Sequence, residues 1–274
     1  MRNLKIVLAY DGADFSGWQA QPERPTVQGA LAAALARVTG EPTQPQGSGR
    51  TDAGVHALAQ VASVTLASPI PVSNLVPALN HVLPPAVRVL EITEAAPEFH
   101  ARTSARAKTY RYRVFRGAIC PPFLARYVYH HPWPLDEHSM AAAAALVVGE
   151  HDFTSVAAVD PERTGGHRSP VLGRRPEVQV PVAEGEPPES KPLSNVRTIF
   201  RSEFCREGEE LVYTVRGSGF LHHMVRNLMG LFLLAGKGTI VPGEVRHILA
   251  ARSRSANPGA TAPASGLYLV EVEY

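Results

Sequence analysis

Cysteine is nearly missing from this chain: Cys120 and Cys205 are the two in 274 residues, and there is no C-x-x-C. That excludes a disulfide framework and a zinc ribbon, and it suits a reducing, cytosolic compartment. No apolar run approaches the roughly 18 residues of a spanning helix, so no membrane segment is expected. The opening stretch MRNLKIVLAYDG has too short an apolar run before Asp11 for a signal peptide. Net charge is small as well, since 27 basic and 25 acidic residues leave +2. Any basic surface must therefore come from local clustering. What is present is enough apolar material for a core, at 45% hydrophobic against 19% charged. At about 150 residues per domain, the length predicts one or two domains.

The hydrophobic pattern predicts mixed elements. Lys5 to Tyr10 reads as a buried strand that ends at Asp11-Gly12. Residues 26 to 39 read as a helix, with Val27, Leu31, Ala34, Leu35 and Val38 on one face, Thr26 as N-cap and Gly40 as stop. Strands follow at 59 to 66 and 87 to 92, with a short helix at 72 to 82 between them. The second half offers a strand at 109 to 115, an alanine-rich helix at 136 to 148, and a hairpin from 195 to 205 and 211 to 216. An apolar helix at 221 to 235, a last helix through Ala250 and an alternating strand at 267 to 274 complete it. This pattern favours α+β with antiparallel sheets over a doubly wound parallel sheet. A first half at 1–104 and a second at 105–274 are expected. A segment at about 157–194, with seven prolines and four glycines, reads as a functional or mobile insertion. Residues 252 to 266 form another loop.

Three segments carry chemistry. The first is GSGRTDAGVH at 47 to 56. It lacks the Gly-Lys-Ser/Thr ending of a phosphate loop and the G-x-G-x-x-G spacing of a dinucleotide fold. What remains is Arg50 and Asp52, two apart and on one face if the stretch is extended. A guanidinium beside Asp52 favours the charged carboxylate of a nucleophile or general base. A structural ion pair in a tight turn reads equally well.

The second segment, 99 to 135, holds Arg102, Arg106, Lys108, Arg111, Arg113, Arg116 and Arg126 and no acidic residue. Tyr110, Tyr112 and Phe115 are interleaved with them. Cations neutralise phosphates and aromatic faces stack on bases, so nucleic acid is the fitting polyanion. A solvated strand face over core tyrosines is the plainer reading. The third segment, GSGFLHHMVRN at 217 to 227, leads a glycine-rich turn into a helix. His222 and His223 are adjacent and cannot lie side by side on a helix face, so no metal site is expected. Ser48 and Ser218 lie outside any nucleophile elbow.

The residues also resemble a known family. GSGRTDAGVHA around Asp52 resembles the active-site motif of the TruA family of tRNA pseudouridine synthases. AYDGADFSGWQ at 9 to 19, ARAKTYRYRV at 105 to 114, HDFTSV at 151 to 156, NVRTI at 195 to 199, GSGFLHHMVRN at 217 to 227 and ASGLYLVEVEY at 264 to 274 extend the likeness along the chain. The resemblance implies an isomerase that converts uridine to pseudouridine at positions 38 to 40 of the tRNA anticodon stem-loop, without metal or organic cofactor. It implies Asp52 as the catalytic aspartate and Tyr110 as the ring against the target base. Arg50 would pair with the aspartate and hold the flipped nucleotide, and Arg226 would contact the same carboxylate. It further implies two ferredoxin-like or RRM-related halves, helices on their outer faces, a basic cleft between them, and a homodimer. Arg102, Arg106, Lys108, Arg111 and Arg113 are the expected RNA contacts. A non-catalytic RNA-binding module or tRNA chaperone is the alternative. The insertion at 157–194 is longer than the family pattern; an arginine-bearing arm that clamps tRNA is the reading favoured, and an idle insertion is the alternative.

Overall fold

Alternating burial along the strands determines the architecture. In β1 (Arg2–Tyr10), Leu4, Ile6, Leu8 and Tyr10 are buried while their neighbours are half-exposed. One face of this strand therefore meets a core. The computed structural model describes residues 1–158 and 194–274, and most of the proline-rich insertion lies outside the described residues.

Helix α1 (Val27–Thr39) follows β1, with Thr26 accepting from the Gly29 amide and Gly40 left-handed at φ 75°. Strand β2 (Gln46–Gly47), strand β3 (His56–Leu66), helix α2 (Val72–Val82) and strand β4 (Val87–Ala95) complete the first half. The second half begins with β5 (Ala107–Phe115), β6 (Tyr129–His130), α3 (Glu137–Ala145) and β7 (Gly149–Asp152). It continues with the hairpin β8 (Val196–Glu207) and β9 (Glu210–Gly217), then α4 (Met224–Gly236), α5 (Glu244–Ala250) and β10 (Leu267–Glu273).

The α+β expectation holds. The strands of both halves join in one mostly antiparallel ten-stranded sheet, in the order β4-β1-β3-β10-β5-β9-β8-β7. Beside this path, β2 pairs with β3 and β6 with β5. The last strand of the chain closes the seam between the halves. β10 runs antiparallel to β5 and parallel to β3, where Tyr268 faces His56 and Leu269 faces Ala57.

The register places one side chain set on a common face. Leu269 opposes Tyr110, Tyr110 opposes Val215, and Val215 opposes Ser202. The helices cover that face. Ser202 Oγ donates to the Ala144 carbonyl of α3, and the Tyr213 ring meets Phe232 of α4 at 5.2 Å. Tyr112, Tyr213, Phe232, Leu31 and Leu75 are fully enclosed in the resulting core. At about 1.5–3 kcal/mol for each large apolar side chain, this burial dominates stability.

Helix α4 starts three residues later than the pattern predicts. The apolar run Phe220-Leu221 looks helical in sequence, but His223 is left-handed at φ 57° and forms the helix entrance. Against α4 lies the 252–266 loop. Gly230 permits the approach: a Cβ there would sit 1.8 Å from the Ala260 carbonyl oxygen. Gly230→Ala is therefore expected to cost about 1–3 kcal/mol through forced backbone separation. Thermal unfolding should show a fall of about 2–4 °C per kcal/mol. A wild-type melting temperature would mean that the loop docks loosely.

Candidate active site

The segment 48 to 55 links β2 to β3, and its backbone is fixed by buried polar groups. Ser48 N–H donates to the Val61 carbonyl at 2.7 Å, and Ser48 Oγ donates to Gln60 Oε1 at 2.7 Å. Gln60 Nε2 donates to the Gly49 carbonyl at 3.0 Å and lies 3.4 Å from the Tyr10 hydroxyl. That hydroxyl bonds Thr51 Oγ1 at 2.8 Å. Burial pushes the Tyr10 phenol up to about 12, so it stays neutral. From the other side, the Trp18 amide donates to the Thr51 carbonyl at 3.0 Å. Gly12 is required where the 11–18 loop crosses, because a Cβ there would lie 1.9 Å from the Val55 carbonyl oxygen.

Asp52 emerges from this frame with 17% of its side chain exposed. Arg226, on the first turns of α4, donates from Nη1 to Asp52 Oδ2 at 2.8 Å. The guanidinium is aimed by a second bond, Nε to the Ala262 carbonyl at 2.8 Å, and the Ala262 amide returns a bond to the Arg226 carbonyl. Buried Asn227 anchors the same region. It donates to the Val156 carbonyl at 2.8 Å and accepts from Thr261 Oγ1 at 2.6 Å. The 252–266 loop, featureless in sequence, is thus the shelf that orients Arg226.

Asp52 opens onto a cavity of about 520 Å³. That volume suits a small molecule or one nucleotide residue. Tyr110, Phe220, His222 and His223 line it together with Arg50, Arg102 and Lys108. Tyr110 is buried, with the Phe220 ring edge-on at 5.0 Å. Burial, with smaller contributions from Tyr10 and Asp52, pushes its hydroxyl well above the usual phenol range. Tyr110 is therefore an uncharged wall.

The structure brings Asp52, Arg226 and Tyr110 together, as the resemblance implied. It does not place Arg50 on Asp52. Arg50 is exposed and its Nε donates to Gln19 Oε1 at 3.2 Å, while Arg226 supplies the guanidinium on the carboxylate. The two-apart rule holds for a straight strand, and residues 50 to 55 form a turn outside β3. Of the expected RNA contacts, Arg102 and Lys108 reach the cavity wall. Arg106 is exposed at the start of β5. Arg111 and Arg113 occupy the face of β5 opposite Tyr110, and Arg113 forms a two-point bond to Glu210 at 2.7 and 2.6 Å.

The histidine pair is where the sequence reading fails. The left-handed turn at His223 brings both rings to the carboxylate, 3.9 Å apart between centroids. His222 Nε2 lies 3.6 Å from Asp52 Oδ1, and His223 Nε2 lies 3.3 Å from Oδ2. Their ligand atoms and that of Asp52 fall within 4.8 Å of one another, a spacing a metal ion could use. The Arg226 guanidinium already occupies Oδ2 and opposes a second cation there. His223 is shifted down, chiefly by burial, with His222, Arg226 and Arg254 adding and Asp52 opposing. Neutral His223 is the form favoured at neutral pH.

Comparison with known proteins agrees with this geometry. The model of a family described as tRNA pseudouridine synthase matches residues 6–103 and 187–274. The chain belongs to the tRNA pseudouridine synthase family. A tRNA pseudouridine synthase A of Solibacter usitatus is 49% identical over the whole of both chains. Proteins of the same name from Moorella thermoacetica and Brevibacillus brevis are 43% and 40% identical over 99% and 100% of each chain. Within this synthase fold, Asp52 and Arg226 are predicted to be thermodynamically coupled. Denaturation of wild type, Asp52→Asn, Arg226→Met and the double variant should give a coupling of about 1.5–3 kcal/mol. A coupling near zero would show that the ion pair is solvated and not part of the framework.

Proposed function

We propose that this protein isomerises uridine to pseudouridine in tRNA at positions 38 to 40 of the anticodon stem-loop, with Asp52 as nucleophile. The observation that carries this reading is the meeting of Asp52 and Arg226, 174 residues apart in the chain, beside Tyr110 in one nucleotide-sized cavity. The reaction breaks the N1–C1′ bond, turns the uracil and joins C5 to C1′. The C5 hydrogen leaves as a proton and the freed N1 takes up a proton, so product and substrate have the same composition and no oxidant, reductant or water is consumed.

Each residue has a part in that sequence. The target uridine leaves its stack at a cost of a few kcal/mol. Contact with the Tyr110 ring, at about 1–3 kcal/mol per stacked base, offsets much of it. Arg50, at the exposed rim, holds the flipped nucleotide. Arg226 keeps the Asp52 carboxylate oriented, because its own guanidinium is fixed by the Ala262 carbonyl. Neutral His223 beside Asp52 is free of the charge that would compete with Arg226. Arg102 at the cavity wall and the exposed Arg106 are the cationic track for the tRNA backbone, while Arg111 and Arg113 face away from the cavity and Arg113 is held by Glu210. The halves 1–104 and 105–274 form the two walls, and the enzyme works in the cytoplasm as a homodimer. Among the described residues, no helix is long and apolar enough to cross a membrane.

The test is tritium release from tRNA labelled at uridine C5, since forming the C5–C1′ bond expels that hydrogen. Wild type should release tritium and Asp52→Ala should release none while still binding tRNA. A wild type that binds but releases nothing would leave an RNA-binding module. Binding itself should weaken steeply with salt, with a slope near −0.7 to −0.9 for each phosphate neutralised. A flat salt profile would rule out the cationic track.

A further inference from the structure

Lys108 does not sit as a phosphate ligand sits. It precedes Tyr110 by two on β5, so both side chains project from the same face toward the cavity. The neighbouring strands leave it room. Its cross-strand partners are Gly217, which has no side chain, and Val272. Its ammonium does not extend into open water. Nζ donates to the backbone carbonyl of Ser48, a residue with 0% exposure. Gly49 accommodates that contact, since a Cβ there would lie 2.8 Å from Nζ.

The Ser48 carbonyl belongs to the frame that carries Asp52. Ser48 N–H and Oγ are bound by Val61 and Gln60, the Gly49 carbonyl by Gln60, and Thr51 by Tyr10 and Trp18. β3, β1 and the 11–18 loop supply those bonds, and all come from the first half of the chain. Lys108 comes from the second half. It is thus the side chain through which β5, the strand bearing Tyr110, grips the segment bearing Asp52.

We propose that Lys108 is a positioning residue for Asp52, acting through the Ser48 carbonyl, and not a contact to the RNA backbone. This deepens the isomerase reading and rests on it for its effect on turnover. A phosphate contact must be free to move to its ligand and gives binding energy without affecting chemistry. A half-buried ammonium held on a backbone carbonyl sets where the nucleophile stands, and misplacement by about 1 Å can cost about 100-fold in rate.

The site also makes Lys108 sensitive to alkali. Burial, with Arg102 adding, pushes its ammonium down to about 8. Charged or titratable groups lining the cavity with it are Arg102 from the loop before β5, Arg50 and Asp52, His222 and His223 before α4, and Tyr110 on its own strand. Gly217 and Val272 on the flanking strands contribute none. A folded-state value below that of the free side chain means that the charged form is lost as pH rises through about 8. The grip on Ser48 weakens in the same window.

The experiment compares wild type, Lys108→Met and Lys108→Arg by single-turnover tritium release at saturating enzyme between pH 6.5 and 9.5. The dissociation constant for tRNA is measured alongside across a salt series, together with hydrogen–deuterium exchange of the peptide spanning 47 to 55. Lys108→Met should lower the rate by about 100-fold, leave tRNA affinity within about threefold, keep the salt slope, and speed exchange in that peptide. Wild type should lose rate with a midpoint near 8. Lys108→Arg, which does not titrate there, should recover rate and lack that midpoint. A Lys108→Met variant with wild-type rate, weaker binding and a salt slope smaller by about one would overturn the proposal in favour of a phosphate contact. Should Lys108→Met fail to fold, the pH profile of Lys108→Arg decides alone, and a retained midpoint near 8 overturns it. Exchange separates the two readings, because it needs no turnover. An inactive wild type whose 47 to 55 peptide is protected by Lys108 loses the isomerase and keeps the positioning role.

Discussion

A carboxylate that is five-sixths enclosed has to be paired, because an isolated charge out of water costs more than a domain can spare. Asp52 is such a group, and its partner comes from 174 residues away. Much of the architecture follows from delivering Arg226 to that point. α4 must begin at Met224, so the preceding residues are forced into a turn with His223 left-handed. The guanidinium must be aimed, so the 252–266 loop must pass close enough for Ala262 to accept its Nε, and Gly230 provides the clearance. The loop must then return to the sheet as β10. The Tyr112 hydroxyl secures that return by donating to the Pro263 carbonyl at 2.8 Å.

The seam is correspondingly narrow on the backbone and broad in side chains. β10 meets β3 across two residue pairs. On the face away from the helices, His56 stacks on Tyr268 at 4.8 Å and the Gly12 amide donates to His56 Nδ1 at 3.1 Å. Burial holds His56 below the ordinary histidine range, more than Asp11 nearby raises it, so the ring is a neutral acceptor. Tyr127 donates to Asp11 Oδ2 at 2.9 Å and accepts at its carbonyl from Tyr268. The 11–18 loop, which also cradles the Asp52 segment, is thus tied to the strand that joins the halves. The motif GRTDAGVH therefore carries two different jobs in eight residues. Asp52 faces the cavity, and His56 locks the opposite face of the sheet.

Elements with strong local signals were legible in the sequence. α1 has its cap at Thr26, its stop at Gly40 and an apolar stripe, and its limits fall within one residue of those predicted. β10 alternates cleanly and β8–β9 turns at the polar stretch around Gly208. The two- to four-residue strands β2, β6 and β7 were not legible, because so short a strand exists by its partner and not by its own propensity. The site divided the same way. Asp52 and Tyr110 could be singled out from residue type and neighbours. The identity of the cation on Asp52 could not, since spacing along the chain favoured Arg50 and long-range packing delivers Arg226. The histidine pair was misjudged for a related reason. Adjacent residues diverge on a helix, but these precede the helix, and one positive φ turns both rings inward.

A net charge of +2 looks too small for a protein that handles a polyanion, and strand parity resolves the conflict. On the β5 face turned from the helices, arginines are matched by acids: Arg113 with Glu210, and Arg216, opposite Thr109, with Glu273. On the cavity side, Arg50, Arg102 and Lys108 line a wall whose acidic member is Asp52, itself occupied by Arg226. Among these described residues the acids lie on the far face and the cations gather where the Asp52 carboxylate stands. Field lines from such a lined cleft concentrate in its low-dielectric interior, so the cations that line it act there more strongly than the whole-chain charge suggests. Alternation along β5 does the sorting, because a strand that puts Lys108 and Tyr110 into the cleft must put Arg111 and Arg113 out of it. A one-residue slip of that strand would exchange the two sets and bury the matched pairs beneath the helices. The register that buries the core is therefore the same constraint that leaves the cleft cationic.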